Sequence, residues 1–166
     1  MKAKIAVVPG TFDPITNGHL DIIRRSSVLF DRIIVCIASN PEKAPLFDLD
    51  SRVEMIKESV AAFPGIEVDT FAGLVVRFAE EHNAIALIRG VRAISDFEFE
   101  FQMALMNRRL APEIITLFMM PHARYTYLNS SLIRNVASHG GDVSQYVPEP
   151  VLRRLREKYP MFRNPE

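Results

Sequence analysis

The sequence has little of what marks disulfide-stabilised, membrane-spanning or nucleic-acid-binding proteins. One cysteine among 166 residues excludes disulfide scaffolds and cysteine-based zinc sites. Basic and acidic residues both number 20, so no overall positive field attracts a nucleic-acid backbone, and an anion site has to be local. No apolar run approaches the ~20 residues of a membrane span, and the first residues form no apolar signal core, so we expect a cytoplasmic protein without membrane or nucleic-acid partners.

Two glycine-rich phosphate-binding fingerprints are also absent. Neither GxxxxGK[ST] nor GxGxxG occurs, so the sequence supports neither a P-loop nor a dinucleotide site. The single cysteine, Cys36, lies in the apolar run 33–38, where a buried and unreactive thiol is expected. The remaining composition, with 48% hydrophobic and 24% charged residues, is that of an ordinary globular domain.

Short β-branched runs alternate with segments of helical period. Strands are predicted at residues 4–8, 33–38, 66–71, 84–88 and 114–119, and helices at residues 18–30, 51–63, 74–83, 95–110, 130–139 and 150–159. Ser51 with Glu54 and Ser95 with Glu98 predict capping boxes at two helix starts. Apolar strands joined by helices imply a parallel sheet covered on both faces. We therefore predict one α/β, doubly wound, Rossmann-like domain with a five-stranded parallel sheet over residues 1–162, followed by a short tail at 163–166.

Two segments that follow predicted strands favour phosphate binding. After the first strand, Pro9-Gly10-Thr11 forms a tight turn and Gly18-His19 opens a helix, whose free amides and dipole attract anions. After the fourth strand, Arg89 and Arg92 flank Gly90, and their planar guanidinium groups suit bidentate phosphate contacts. Ligands of open α/β sheets bind beyond the carboxyl ends of the strands, where both segments are expected.

Three motifs, in this order along the chain, resemble those of a known enzyme family. Gly10-Thr11-Phe12-Asp13-Pro14 followed by Thr16-Asn17-Gly18-His19 resembles the (H/T)xGH signature of the nucleotidyltransferase superfamily. The resemblance narrows to bacterial phosphopantetheine adenylyltransferases through Arg89-Gly90-Val91-Arg92 and Leu128-Asn129-Ser130-Ser131-Leu132. It covers essentially the whole chain.

The resemblance implies reversible transfer of the adenylyl group of ATP to 4′-phosphopantetheine, giving dephospho-CoA and pyrophosphate in coenzyme A biosynthesis. An acceptor phosphate is already ionised at neutral pH, so catalysis reduces to positioning and charge stabilisation. The implied cofactor is Mg²⁺. No carboxylate cluster suggests a metal cage of protein side chains, so we expect Mg²⁺ to arrive on the triphosphate with several waters.

The resemblance also implies roles for individual residues. His19 is implied as the transition-state stabiliser, with Lys43 and Arg92 as further catalytic residues. Contacts to ATP are implied for Thr11, Phe12, His19, Gly90, Val91, Arg92, Glu100, Tyr125, Thr126, Tyr127, Leu128, Asn129, Ser130 and Ser131. Contacts to the acceptor are implied for Thr11, Lys43, Val75 and Arg89.

Some positions depart from the family pattern or leave alternatives open. Leu128-Asn129 replaces the first two members of the usual isoleucine and serine-triplet string, and Val8 replaces an aromatic residue. Asn129 is expected to cap the following helix. Asp13 is interpreted as a turn former, with a distant magnesium partner as the alternative. The alternative functions are a sister transferase acting on another phosphorylated acceptor and a non-catalytic nucleotide-binding module.

The predicted helix at 95–110 is unusually apolar for a surface helix. Met103, Leu105, Met106 and Leu110 add to its phenylalanines, and such a face suits an oligomer contact. The resemblance implies a homohexamer.

Overall fold

Five parallel strands form the sheet at the centre of the computed structural model, which describes residues 3–39 and 44–162. The strands are β1 (Ile5–Gly10), β2 (Arg32–Ala38), β3 (Ile66–Phe71), β4 (Ala86–Gly90) and β5 (Ile115–Met119). Every neighbouring pair in the order β3-β2-β1-β4-β5 is parallel. The predicted sheet is confirmed, although β4 extends beyond the predicted run so that Arg89 and Gly90 are its last residues.

The strand order reverses between β1 and β4. The chain adds β2 and β3 on one side of β1 and then adds β4 and β5 on the other side. The β1–β2 ladder runs to Gly10, whereas the β1–β4 ladder ends at Val7 and Leu87. The carboxyl ends of β1 and β4 therefore flank a crevice at the point where ligands of open α/β sheets bind.

Six α-helices lie in the described residues, and all six were predicted. They are α1 (Asn17–Ser26), α2 (Leu49–Val60), α3 (Val75–Glu81), α4 (Ile94–Leu110), α5 (Ser130–Ser138) and α6 (Glu149–Lys158), with short 3₁₀ turns at Ala123–Tyr125 and Pro160–Phe162. α1 ends at Ser26 and not at residue 30. The backbone continues there as turns, in which the amides of Val28 and Leu29 donate to the carbonyls of Arg25 and Ser26.

The two predicted capping boxes are wrong. The N-cap of α2 is Asp48, whose carboxylate accepts from the backbone amide of Ser51 at 2.8 Å. Aspartate caps a helix as well as serine does, and Asp48 comes first along the chain. The N-cap of α4 is Ala93, so that helix begins before Ser95 and has no side-chain cap bond.

Two apolar layers cover the sheet. On one face, buried residues of α1, α2, α5 and α6 form one cluster with alternate strand residues such as Ala6 and Val8. On the other face, α3 packs against the intervening residues such as Val7 and Leu87. Burial on both faces explains why the central strands read as continuous apolar runs. The edge strands β3 and β5 are less covered, and Ile115 on β5 is 60% exposed.

Cys36 lies buried in β2, as predicted. Burial, together with the nearby charge of Asp69, raises the pKa of its thiol to about 12. Because the thiolate is the reactive form, we expect Ellman's reagent at pH 8 to leave the folded protein unlabelled and to label one thiol after unfolding in guanidinium. Rapid labelling of the folded protein would contradict this packing.

α4 exposes the apolar face that the sequence predicts. Phe99, Leu105 and Met106 are each more than half exposed, and so is Ile115 of β5. Several exposed large apolar side chains on one helix are typical of a protein contact. In the part of the chain that the structure describes, no helix combines the length and apolar character needed to cross a membrane.

Candidate active site

A cavity of about 550 Å³ opens in the crevice between β1 and β4. It is lined by the turn after β1, the first turn of α1, the ends of β3 and β4, the start of α3, part of α4 and the segment before α5. The predicted site residues that line it are Thr11, Phe12, His19, Val75, Arg89, Gly90, Arg92, Tyr125, Leu128, Asn129 and Ser130. These predicted residues come from four segments that are distant in sequence, namely 11–19, 75, 89–92 and 125–130. The fold thus brings most of the predicted site residues together.

Other predicted residues lie outside the lining of this cavity. Val91, Glu100, Thr126 and Tyr127 do not line it. Ser131 lines an adjoining cavity of about 220 Å³, which shares Thr11 and Ser130 with the larger one. Lys43 lies outside the described residues.

The first turn of α1 holds His19 through a reciprocal capping box that the sequence analysis missed. Thr16 is the N-cap, and its hydroxyl accepts from the backbone amide of His19 at 3.4 Å. In return, the backbone amide of Thr16 donates to Nδ1 of His19 at 3.0 Å. The usual capping box has Glu or Gln at this third helical position, so the pattern Thr16-Asn17-Gly18-His19 gave no standard signal.

This hydrogen bond selects the protonation state of the His19 ring. A backbone amide can only donate, so Nδ1 is an acceptor and the ring proton of neutral His19 lies on Nε2. Burial, together with the positive charge of Arg92, lowers the pKa of His19 from 6.5 to about 4. The Phe12 ring contacts the imidazole edge-on at a centroid distance of 5.2 Å. His19 is therefore a neutral donor at physiological pH.

The lowered pKa of His19 predicts how stability depends on pH. Between pH 6.5 and about 4 the unfolded chain binds a proton at His19 that the folded protein does not bind, so this group makes the free energy of unfolding fall as the pH falls. We expect denaturant titrations of His19→Gln, which has no titrating ring, to show a shallower decline across this window. Parallel curves for both proteins would show that His19 titrates normally.

The guanidinium groups at the end of β4 are each bound to a carboxylate of α4. Arg89 forks onto Glu100 with distances of 2.6 Å from Nε and 2.5 Å from Nη2, and its Nη1 donates to the carbonyl of Pro9 at 3.2 Å. Arg92 donates from Nε to Asp96 at 2.9 Å and from Nη1 to the carbonyl of Leu128 at 2.8 Å. Glu100 thus orients Arg89, and Arg92 ties β4 to the segment before α5.

The start of α5 presents small polar groups to both cavities. Asn129 is the N-cap, as predicted, and its Oδ1 accepts from the amide of Leu132 at 2.7 Å. Ser130 donates its hydroxyl proton to the carbonyl of Pro14 at 2.8 Å. The departure at Asn129 therefore exchanges a serine hydroxyl for a strong cap and leaves the serines at 130 and 131 in place.

Asp13 acts as the turn former that the sequence predicts. Its buried carboxylate accepts from the amides of Leu46 at 2.8 Å and Phe47 at 3.0 Å, and it pairs with Arg134. These bonds join the turn after β1 to the start of α2 and to α5. Among the residues that the structure describes, no group of three or more His, Cys, Asp or Glu side chains could hold a metal ion.

The structure also brings to the cavity three residues that were not predicted as site residues from the sequence. Met103 and Asn107 of α4 line it, and Asn107 is a buried polar residue. Asn107 could have been predicted as a site residue, because a polar asparagine stands out in an otherwise apolar helix. Leu74, at the N-cap of α3, also lines the cavity. It could not be predicted as a site residue, because an apolar residue at this position is expected in the core.

The chain is similar to nucleotidyltransferases in sequence, and its fold matches that of a solved structure. A family model described as cytidylyltransferase-like matches residues 7–136, which makes the class that of the nucleotidyltransferases. A solved structure from Vibrio parahaemolyticus, provisionally named a nicotinate-nucleotide adenylyltransferase, shares the fold with a TM-score of 0.70 at 17% identity over 99% of this chain and 98% of its own.

Curated relatives are much more similar in sequence. The phosphopantetheine adenylyltransferase of Desulfosudis oleivorans is 56% identical over 155 residues, which is 93% of this chain and 92% of the relative. Proteins of the same name from Heliobacterium modesticaldum and Carboxydothermus hydrogenoformans are each 53% identical, over 93% and 94% of this chain and 92% and 96% of their own lengths. The chain belongs to the phosphopantetheine adenylyltransferase family.

Proposed function

We propose that this protein transfers the adenylyl group of ATP to 4′-phosphopantetheine, giving dephospho-CoA and pyrophosphate in coenzyme A biosynthesis. The observation that carries the proposal is the crevice at the strand-order reversal. There a neutral histidine donor and two oriented arginines, Arg89 and Arg92, line one cavity. The acceptor follows from the name that the relatives carry.

The proposed step is a direct in-line displacement. An oxygen of the acceptor phosphate forms a bond to the α-phosphorus of ATP, and the bond from that phosphorus to the oxygen bridging to the β-phosphate breaks. The bonding electron pair leaves with pyrophosphate. Nε2–H of His19 donates to a non-bridging α-phosphate oxygen as negative charge accumulates there. No side chain needs to remove a proton, so a histidine that stays neutral suits this chemistry.

The cavity reaches both faces of the sheet, which suits two substrates. Tyr125 and Leu128 belong to the apolar layer of α1 and α5, whereas Val75 packs with the opposite layer. We assign ATP to the first side, with Thr11, Phe12, Gly90 to Arg92 and the segment 125–131, and the acceptor to the side of Val75 and Arg89. Glu100 supports the site through Arg89. A direct contact between Glu100 and the nucleotide stays a prediction, as does the role of Lys43.

Mg²⁺ is proposed to be held by the phosphates of ATP. The buried carboxylate of Asp13 is already bound to two amides and Arg134, so it is a poor ligand for a hydrated cation. When bound, Mg²⁺ supplies neutralisation of phosphate charge. We expect excess EDTA to abolish turnover and added Mg²⁺ to restore it.

The function is tested by mixing the protein with ATP, Mg²⁺ and 4′-phosphopantetheine and measuring pyrophosphate release and dephospho-CoA. Parallel reactions contain nicotinate mononucleotide as a competing acceptor. Turnover with 4′-phosphopantetheine alone supports the proposal. Turnover only with the other acceptor identifies a sister transferase, and ATP binding without any turnover identifies a binding module.

The exposed face of α4 supports a homo-oligomer, and the motif resemblance implies a hexamer. Phe99, Leu105 and Met106 offer the apolar area that such a contact needs. A solution mass equal to the 18.8 kDa of one chain at micromolar concentration would contradict an oligomer. The cytoplasmic location and the lack of a nucleic-acid partner stay predictions.

A further inference from the structure

Arg52 on α2 is a buried arginine next to the proposed active site. It is 5% exposed, and its Nη1 donates to the carbonyl of Thr11 at 2.8 Å. Its Nε donates to the carbonyls of Phe47 at 3.1 Å and Asp48 at 3.4 Å. Thr11 in turn lines both cavities.

Arg52 differs from the other arginines of this region in its partners. Arg89, Arg92 and Arg134 each form a salt bridge, with Glu100, Asp96 and Asp13 respectively. Arg52 forms none with any carboxylate in residues 3–39 and 44–162. Its hydrogen-bond partners there are neutral carbonyl groups.

A buried cation without an anionic partner lowers the free energy of unfolding. The charge loses its hydration on folding, and carbonyl dipoles replace only part of it. A charge kept under these conditions acts on whatever occupies the neighbouring cavity, because the screening by water is weak there. An anion in front of Thr11 supplies the compensation that the described part of the chain does not.

We propose that Arg52 is a positioning residue that strengthens triphosphate binding without touching the ligand, by acting through Thr11. Its hydrogen bond holds the Thr11 carbonyl away from the cavity and polarises the peptide group that Thr11 shares with Phe12. Its charge favours the anion across that peptide group. The naming of the anion as a triphosphate rests on the proposed function.

A purely structural role makes a different prediction. The bonds to Phe47 and Asp48 join Arg52 to the start of its own helix, and a neutral donor could maintain them. If the charge acts on the ligand, its loss weakens binding of charged ligands selectively. If Arg52 only shapes the loop, its loss weakens binding of charged and uncharged nucleosides alike.

The test compares Arg52→Gln and Arg52→Lys by calorimetric titration with ATP and with adenosine, followed by steady-state kinetics. We expect Arg52→Gln to raise the Kd for ATP at least ~10-fold, the scale for losing one weakly screened charge interaction, with adenosine affinity unchanged. In turnover, the KM for ATP rises more than kcat falls. Arg52→Lys keeps ATP affinity within about threefold of wild type because it keeps the charge.

The exposed Arg153 of α6, which pairs with Glu58, provides the control variant Arg153→Gln, with unchanged affinities. Equal loss of ATP and adenosine affinity in Arg52→Gln overturns the proposal. If Arg52→Gln fails to fold, the test rests on Arg52→Lys. Equal loss of the affinities for ATP and adenosine in that variant also overturns the proposal. Titrations with ATP alone need no acceptor, so they remain informative if 4′-phosphopantetheine proves to be the wrong one.

Discussion

Replacing His19 with alanine is expected to lower kcat at least ~10²-fold, the scale for removing one transition-state hydrogen-bond donor, in a protein that still folds. The proposed reaction leaves His19 no proton to accept, so its contribution is the Nε2–H that the Thr16 capping bond leaves available. The KM for each substrate changes less than kcat, because the donor acts on charge that develops in the transition state. Initial rates of pyrophosphate release measure this effect.

His19→Gln separates catalysis from helix capping. Glutamine at the third helical position restores the reciprocal cap to the amide of Thr16, so its stability exceeds that of His19→Ala, by about 1 kcal/mol on the scale of a lost cap. Its turnover lies between those of wild type and His19→Ala, because a flexible amide is a less well-oriented donor. The exposed His139 gives the control His139→Ala, with normal kinetics. Near-normal turnover of His19→Ala would reduce His19 to a helix cap.

We expect Gly10→Ala to lower both stability and turnover, because Gly10 packs against the Phe12 ring. A Cβ atom at Gly10 lies 2.8, 2.9 and 3.1 Å from three carbons of that ring. Phe12 is 3% exposed and has a left-handed backbone with φ of 48°, so its ring has little room to move. Overpacking of this kind costs ~1–3 kcal/mol. Displacement of the ring also disturbs its edge contact with His19, and we expect kcat to fall on the order of 10- to 100-fold.

A double-mutant cycle tests whether the Phe12 ring causes the loss of stability in Gly10→Ala. Phe12→Leu removes the ring atoms that the new methyl group meets, so Gly10→Ala costs less stability in that background than in wild type. Denaturant titrations of the four proteins give the coupling energy. Strict additivity would mean that the cost of Gly10→Ala arises elsewhere in the turn.

The sequence predicts the sheet and the location of the site because both depend on local patterns. Apolar runs between helices predicted all five strands, and the polar residues after β1 and β4 had to meet at one edge of a parallel sheet. The ends of helices were less predictable. The predicted helix began at residue 51, so Ser51 was interpreted as its N-cap. The helix begins two residues earlier, at Leu49, and Asp48 is the N-cap.

The partners of the site residues could not be predicted from spacing. The fork of Arg89 on Glu100 joins a strand to a helix, and the bond from Arg52 to the Thr11 carbonyl spans 41 positions of the chain. Such pairs depend on how the helices dock on the sheet. Burial of Arg52 was also unexpected, since an arginine in an amphipathic helix is most often on its exposed side.

The bond between the amide of Thr16 and Nδ1 of His19 bears on how the (H/T)xGH signature tolerates variation. Nδ1 of His19 lies 3.0 Å from both the amide nitrogen and the hydroxyl oxygen of Thr16. The amide belongs to the main chain, so exchanging the side chain at the first signature position removes the hydroxyl but leaves the amide donor in place. Proline is the exception, because it has no amide hydrogen. The choice of histidine tautomer is therefore protected against nearly every single substitution at position 16.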